Sequence, residues 1–327
     1  MTDDSMPDSA PLLTAKALRV GQGERVVLDD VELQIHAGEI FGIVGRARSG
    51  KTALLETLMG LRPPLSGTVT LLGSRDPSSM DVRQHVGSSL RPSTVERRTT
   101  VQEAVRFCAS LYDRHVDLEA LIREVGLWHS RAKYREDLAP HELARLSLAM
   151  GLVSNPRVLF ADEPTRELDP EGRQQVWEVL RSRRNAGAAV ILSTNLMDEA
   201  ERLCDRIAIL GNRRILAVDT PAGIVAAGEA PSRMTIDTVP PLSSEALAQL
   251  LGVGSVRIDG PTARLLISDP VAAVCAVAGL LRDGGVELRS LRFAQATLED
   301  RFAELTRAGA DADEPSPSTD QRQGRMR

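Results

Sequence analysis

The chain has 327 residues. At roughly 150 residues per domain, that length implies about two domains, each able to bury its own core, and excludes a miniprotein stapled by disulfides. Basic residues number 40 and acidic ones 45, a net charge of -5, so no counterion-release drive favours nucleic acid, and at 3% the aromatics are too few for base-stacking platforms.

Segments 1–11 and 308–327 are rich in Pro, Ser and Asp without apolar periodicity, and both read as disordered tails. The N-terminal segment is acidic and shows no basic-then-apolar run. The longest apolar stretch, 271–281, falls short of the roughly 20 residues that a membrane-spanning helix needs. Cys108, Cys204 and Cys275 are odd in number and widely spaced, which fits neither a disulfide framework nor a CxxC zinc site and suits a reducing compartment. Together these features predict a cytoplasmic chain, or one held at a membrane through a partner.

Between the tails, apolar β-rich runs at 39–44, 158–161 and 188–193 alternate with helical patterns at 52–60, 171–186 and 196–204. Such alternation predicts an α/β fold with a mostly parallel sheet. Residues 101–153 carry helical spacing without a strand, as in Val101, Val105, Cys108 and Leu111, then Leu118, Leu121, Ile122 and Val125. They read as a helical insertion within a first domain of 12–226, with the helical part at about 92–153. The helix near 171 has the clearest start, with Asp169 as N-cap, Pro170 at the first helical position and Glu171 in the first turn. A composition break at 226–241 precedes a restart over 232–307. There strands at 233–237, 256–259, 264–268 and 286–292, with helices at 243–251 and 270–281, follow the order of a small ferredoxin-like α+β unit. A last helix follows at 297–307. The stripe Val271, Val274, Cys275 and Leu281 reads as core of this second domain.

The chemistry concentrates at Gly45, Arg46, Ala47, Arg48, Ser49, Gly50, Lys51 and Thr52, a GxxxxGK[ST] match between a strand and a helix. The glycines let successive backbone N–H groups face phosphate oxygens, and the helix N-terminus adds its partial positive charge. Lys51 would neutralise β and γ phosphates, and Thr52 would hold Mg²⁺. Lysine occurs only as Lys16, Lys51 and Lys133, so its presence on the required position is informative. Downstream, the apolar strand 158–161 runs into Asp162 and Glu163 at the end that faces the ligand crevice. From there Asp162 can reach Mg²⁺ through water, and Glu163 can polarise an attacking water.

With both motifs in place and a helical insertion between them, the chain resembles the nucleotide-binding subunits of ABC transporters. The resemblance extends to Leu159-Phe160-Ala161-Asp162-Glu163-Pro164-Thr165, to Leu168-Asp169-Pro170, which is like the family's D-loop, and to the stretch 196–206 typical of bacterial export members. Thr297-Leu298-Glu299-Asp300-Arg301-Phe302 is similar to the LEDxF ending of the daunorubicin-type drug-resistance subgroup. The resemblance implies a P-loop NTPase fold of ABC type with an extra C-terminal domain, ATP and Mg²⁺ as cofactors, and location at the inner face of a cell membrane. It also implies an integral-membrane permease partner and a head-to-tail dimer with a second ATP-binding subunit, in which each ATP lies between one chain's phosphate loop and the other's signature.

Four family positions depart from the pattern. The adenine-stacking aromatic falls at Gln22, which has no π face, and the Q-loop glutamine falls at Arg91, a cation that cannot ligate Mg²⁺. The LSGGQ signature is replaced by Leu138, Ala139, Pro140, His141 and Glu142, losing an N–H at Pro140 and gaining an anion at Glu142. The switch histidine is Asn195, which carries neither a proton to give nor a positive charge. Arg48 replaces the family's usual glycine, a change that other P-loops tolerate. His141 and Glu142 have no second ligand cluster in range and read as a solvated helix start, and Arg91, Arg97 and Arg98 read as a solvated loop. These departures predict an ATP-binding transporter subunit with impaired hydrolysis. A fully active transport ATPase, and a regulatory ATP-binding module working without a permease, stand as the rival functions.

Overall fold

The computed structural model of the chain describes residues 10–23, 25–90, 96–228 and 232–311, with side chains as far as 307. Among the described residues two units separate by their internal contacts, those up to 221 with those from 305 on, and those from 222 to 304.

The first unit opens with strands β1 (Leu13–Gln22), β2 (Arg25–Ile35) and β3 (Ile40–Gly45), then α1 (Lys51–Leu58) and β4 (Ser66–Leu71). β1 pairs antiparallel with β2 on one side and β4 on the other, forming a three-stranded sheet that the apolar pattern had not revealed. Next come α2 (Met80–Arg83), β5 (Val86–Ser89), α3 (Val101–Ala109), α4 (Leu118–Glu124) and α5 (Pro140–Leu152). The unit continues through β6 (Val158–Asp162), α6 (Pro170–Asn185), β7 (Ala189–Thr194), α7 (Met197–Leu203), β8 (Arg206–Gly211) and β9 (Arg214–Asp219).

The larger sheet has the order β5-β6-β7-β3-β8-β9, parallel throughout except for β9, which runs antiparallel to β8. β3 and β7 are buried along their whole length, as parallel strands covered on both faces must be, and this explains why neither alternates apolar with polar residues. α1 packs Leu54, Leu55 and Leu58 into a core with Phe41, Ile43, Phe160 and Ile191, all fully buried. That packing brings the carboxyl ends of β3, β6 and β7 side by side, which is where an open α/β sheet binds ligands.

Residues 101–153 hold α3, α4 and α5 joined by turns, as their spacing predicts. Thr100 and Glu103 form a capping box at the start of α3, which buries Val101, Ala104, Val105 and Ala109. Leu111 lies past the helix end and is exposed, so the inward stripe is shorter than the periodicity implies.

After α8 (Pro221–Ala226), the second unit builds β10 (Ser232–Val239), α9 (Ser244–Ala248), β11 (Val253–Asp259), β12 (Thr262–Ile267), α10 (Pro270–Asp283), β13 (Glu287–Ala294) and the part of α11 (Leu298–Asp311) up to residue 304. Its sheet order is β11-β12-β10-β13 with every pair antiparallel. The core is Met234, Ile236, Leu265, Ile267, Ala273, Val277 and Leu281. Here the expected stripe on α10 needs correction: Val271 is 75% exposed, and Val274 and Cys275 are exposed as well. α10 is apolar on nearly all sides, so its spacing does not select a face; the face built on Ala273 wins, with Val277 and Leu281 completing it at steps of four. α11 continues four residues beyond 307, since extending a formed helix through Ala308 and Ala310 costs little.

Candidate functional site

The loop from β3 to α1 is shaped by two left-handed residues, Arg48 at φ 67° and Gly50 at φ 101°. A Cβ on Gly50, at its positive φ, would meet Val27 Cγ1 at 2.7 Å, so glycine is required there, and one on Gly45 would displace Ser49 Oγ. α1 begins at Lys51 with no side-chain cap, leaving its first amides oriented toward the loop's concavity. Ser49 Oγ is buried and has no hydrogen-bond partner. An uncapped helix start together with an orphaned hydroxyl fits a phosphate group.

Lys51 is only 5% exposed, and its Nζ donates to the carbonyls of Gly45 at 2.8 Å and Arg46 at 3.0 Å. Burial lowers its pKa, while the nearby carboxylates of Glu163 and Asp162 oppose that shift. Glu163 Oε1 stands 3.8 Å from Lys51 Nζ, within reach of the charge but outside a tight hydrogen bond. Thr52 Oγ1 donates to Asp162 Oδ2 at 2.9 Å, and Ser193 Oγ donates to Asp162 Oδ1. A hydroxyl and a carboxylate so placed are hard oxygen donors suited to Mg²⁺.

Glu163 follows β6 in the left-handed region, with φ 48°. Its N–H is tied to the Ser193 carbonyl at 3.1 Å and to Ser193 Oγ at 3.2 Å, which fixes this sparsely populated conformation. Arg166 Nη1 donates to Glu163 Oε2 at 2.7 Å. Behind this turn, Thr165 Oγ1 and Trp177 Nε1 both donate to the buried carboxylate of Glu199, at 2.6 Å and 3.0 Å.

The structure therefore brings together Gly45 to Thr52, Asp162 and Glu163. Gln22 lies exposed at the end of β1, and Asn195 lies exposed just past β7. Asp169 caps α6 by accepting the Gly172 N–H at 2.8 Å, with Pro170 next in line. Arg91 lies outside the described residues. At the start of α5, Leu138 is buried, while Pro140 and His141 are exposed. Glu142 is not the solvated residue that the sequence suggests: it folds back to accept from the Ala139 N–H at 2.9 Å, from Lys133 at 3.0 Å and from Ser130. Partial burial works against its ionised form, but these hydrogen bonds outweigh it and hold the carboxyl at about 2.

Two contributors escaped the sequence reading. Ser193 appeared there only as part of the strand preceding Asn195, and its link to Asp162 depends on the register that sets them opposite each other in β6 and β7. Arg166 could have been found, because it follows Glu163 by three residues and ion pairs at that spacing recur in turns and helices.

Residues 28–166 match the ABC transporter family. Nod factor export ATP-binding protein I of Ralstonia nicotianae is 33% identical over 227 residues, covering 66% of this chain and 70% of that protein. The chain belongs to the ABC transporter family. Retinal-specific phospholipid-transporting ATPase ABCA4 of Homo sapiens is 36% identical over 204 residues, although the match spans only 9% of that much longer protein. Among solved structures, an ATP-binding subunit of an ABC transporter superposes with a TM-score of 0.61 at 25% identity, over 66% of this chain and 92% of that one. CbiO1 of Clostridium perfringens, with a TM-score of 0.58 at 23% identity over 67% and 92%, shares the fold. The P-loop NTPase fold of ABC type is thus established, and the chain is an ATP-binding member of this family. No helix among the described residues is long and apolar enough to cross a membrane.

Proposed function

We propose that the chain is the ATP-binding subunit of an ABC-type exporter, that it binds Mg-ATP at Gly45 to Thr52 with Asp162, and that it hydrolyses ATP slowly. The observation that carries the proposal is the convergence of Lys51, Thr52, Asp162 and Glu163 at adjoining strand ends. In this reading Lys51 exchanges its two carbonyl acceptors for β and γ phosphate oxygens, Ser49 Oγ gains a partner, and the amides opening α1 receive the phosphates. Thr52 and Asp162 would hold Mg²⁺, which when bound would supply positive charge against the phosphates. Glu163 accepts the proton of the attacking water.

Slow turnover follows from the family positions that depart from the usual residues. Asn195 offers a hydrogen bond where the family has an ionisable imidazole, and Arg91 replaces a neutral metal and water ligand. In a head-to-tail dimer, the sequence from Leu138 to Glu142 would face the partner's nucleotide without the serine hydroxyl or the glycine N–H groups of the usual signature.

Export is supported by the Nod factor export relatives, and drug-resistance character by the segment from Thr297 to Phe302. In that segment Thr297 and Asp300 cap α11 reciprocally, and Leu298 and Phe302 are buried. The partners are then an integral-membrane permease subunit and a second ATP-binding subunit, with the chain held at the cytoplasmic face of the membrane through the permease. Nucleic acid is not a partner in this reading. The domains are 12–226 and 232–307, flanked by the two tails.

Steady-state ATP hydrolysis by the purified chain, beside Lys51→Ala and after Mg-ATP binding is verified, tests this function. Binding with turnover well below about 1 per second agrees with it, since catalytic groups are missing. Brisk turnover that vanishes in Lys51→Ala and Glu163→Gln would make the chain a complete transport motor instead. Failure to associate with a co-expressed neighbouring permease would favour a regulatory module.

A further inference from the structure

The Glu163 carboxylate is divided between two cations. Oε2 is held at 2.7 Å by Nη1 of Arg166, which is half-exposed, whereas Oε1 is turned toward Lys51 at 3.8 Å. The turn that carries both residues is anchored. Glu163 N–H is bound to Ser193, and Thr165, fully buried, is bound to Glu199. The Arg166 guanidinium therefore approaches from a fixed backbone and takes the carboxylate oxygen that is not turned toward Lys51.

We propose that Arg166 is the positioning residue for Glu163, holding Oε2 so that Oε1 is presented to the water beside the phosphate loop. The inference rests on the reading of the chain as an ATPase with Glu163 as its base. It supplies, from the turn after β6, the cation that Asn195 cannot provide from the loop after β7. When Lys51 turns to phosphate, Oε1 loses its cationic neighbour and becomes the proton acceptor, while Oε2 stays fixed. In the step itself the water oxygen bonds to the γ phosphorus and the bond from that phosphorus to the β-γ bridging oxygen breaks. The water proton passes to Glu163 Oε1, and from there to solvent after ADP and inorganic phosphate form. Orientation of a base by a charge-assisted hydrogen bond from a neighbouring group is a recurring way to raise its effectiveness without contact with substrate.

The experiment is single-turnover ATP hydrolysis with the full chain in excess over nucleotide, comparing wild type, Arg166→Ala and Arg166→Lys. The same three are repeated with Asn195→His, and equilibrium binding of a slowly hydrolysed ATP analogue is measured for each. Loss of an orienting group predicts a rate about 10-fold lower in Arg166→Ala, affinity within about 2-fold of wild type, and partial recovery in Arg166→Lys. With Asn195→His present, the loss on removing Arg166 should shrink to under about 3-fold, because a second orienting group is then available. A purely structural role would give the same loss in both backgrounds and overturn the proposal. So would a rate in Arg166→Ala equal to or above wild type, an affinity that falls in step with the rate, or the absence of any hydrolysis by the wild type. Fast steady-state turnover of the wild type sinks the slow-ATPase reading alone, since the contrast between Arg166→Ala and wild type still judges Arg166.

Discussion

Thr52 and Asp162 stand 110 positions apart in the chain and meet through a 2.9 Å hydrogen bond from the threonine hydroxyl to Oδ2. The helical insertion between them is bypassed by strand register, which sets Asp162 beside Ser193 and Ser193 beside Ile43, two residues before Gly45. A metal bound here would draw its charge compensation from Asp162. Asp162→Asn preserves shape and an acceptor oxygen while removing the charge. The expected result is an ATP affinity lowered at least about 10-fold in the presence of Mg²⁺ but altered less than about 2-fold in a chelator. Parallel binding titrations check this, and equal loss in both conditions would assign Asp162 a role unrelated to metal.

Gln22 bears on base selectivity. It lies exposed at the end of β1, and its amide offers no ring face against which a purine can stack. Affinity then comes from the phosphates, so ATP and GTP should bind within about 3-fold of each other, and Gln22→Tyr should tighten both by about 5-fold through stacking. Competition titration with the two nucleotides measures each number. A strong preference for ATP in the wild type would mean that another residue reads adenine.

Much of this centre was legible because its chemistry is local. Gly45 to Thr52 form one contiguous loop whose strand and helix could be placed from periodicity, and Asp169 with Pro170 marks the start of α6 unambiguously. What escaped the sequence depends on contacts between distant segments. Ser193 reaches Asp162 only because β6 and β7 pair in one particular register. The sheet β2-β1-β4 was hidden because its register shifts between Ala15 and Leu18 interrupt the alternation that identifies strands. α10 misled for the opposite reason: apolar residues on almost every side leave no periodic contrast, and the small Ala273, where the helix faces the sheet, decides the inward face.

Glu142 connects the altered signature to stability. Its carboxyl is lowered from 4.5 to about 2, against partial burial, by hydrogen bonds from Ser130, Ala139 and Lys133. A depressed carboxylate stabilises the fold above its unfolded value, and that contribution is lost as pH falls from about 4.5 toward 2. A shift of this size is worth at most about 3 kcal/mol, and solvent screening at the exposed Lys133 reduces it. Glu142→Gln should therefore cost roughly 1–2 kcal/mol at pH 7 and about a quarter of that near pH 2.5. Urea unfolding of both proteins at the two pH values supplies the comparison, and a cost that does not shrink in acid would remove the ionised carboxylate as its source.

The three cysteines should separate by rate toward a thiol reagent, since the thiolate is the reactive form and must be reached. Cys275 is exposed on α10. Cys108 is half-buried, with its Sγ 3.4 Å from the Met150 carbonyl, and burial raises its pKa. Cys204 is buried beside Gly42, and burial, reinforced by the charges of Glu199 and Asp205, raises its pKa well above the ordinary thiol range. One thiol should react rapidly at pH 8, a second at least about 10-fold more slowly, and the third only on unfolding. Cys275→Ser should delete the fast phase alone. A fast phase that survives this change would mean that the segment around Cys108 or Cys204 opens readily, and if the thiol is Cys204 its packing against Gly42 of β3 is loose.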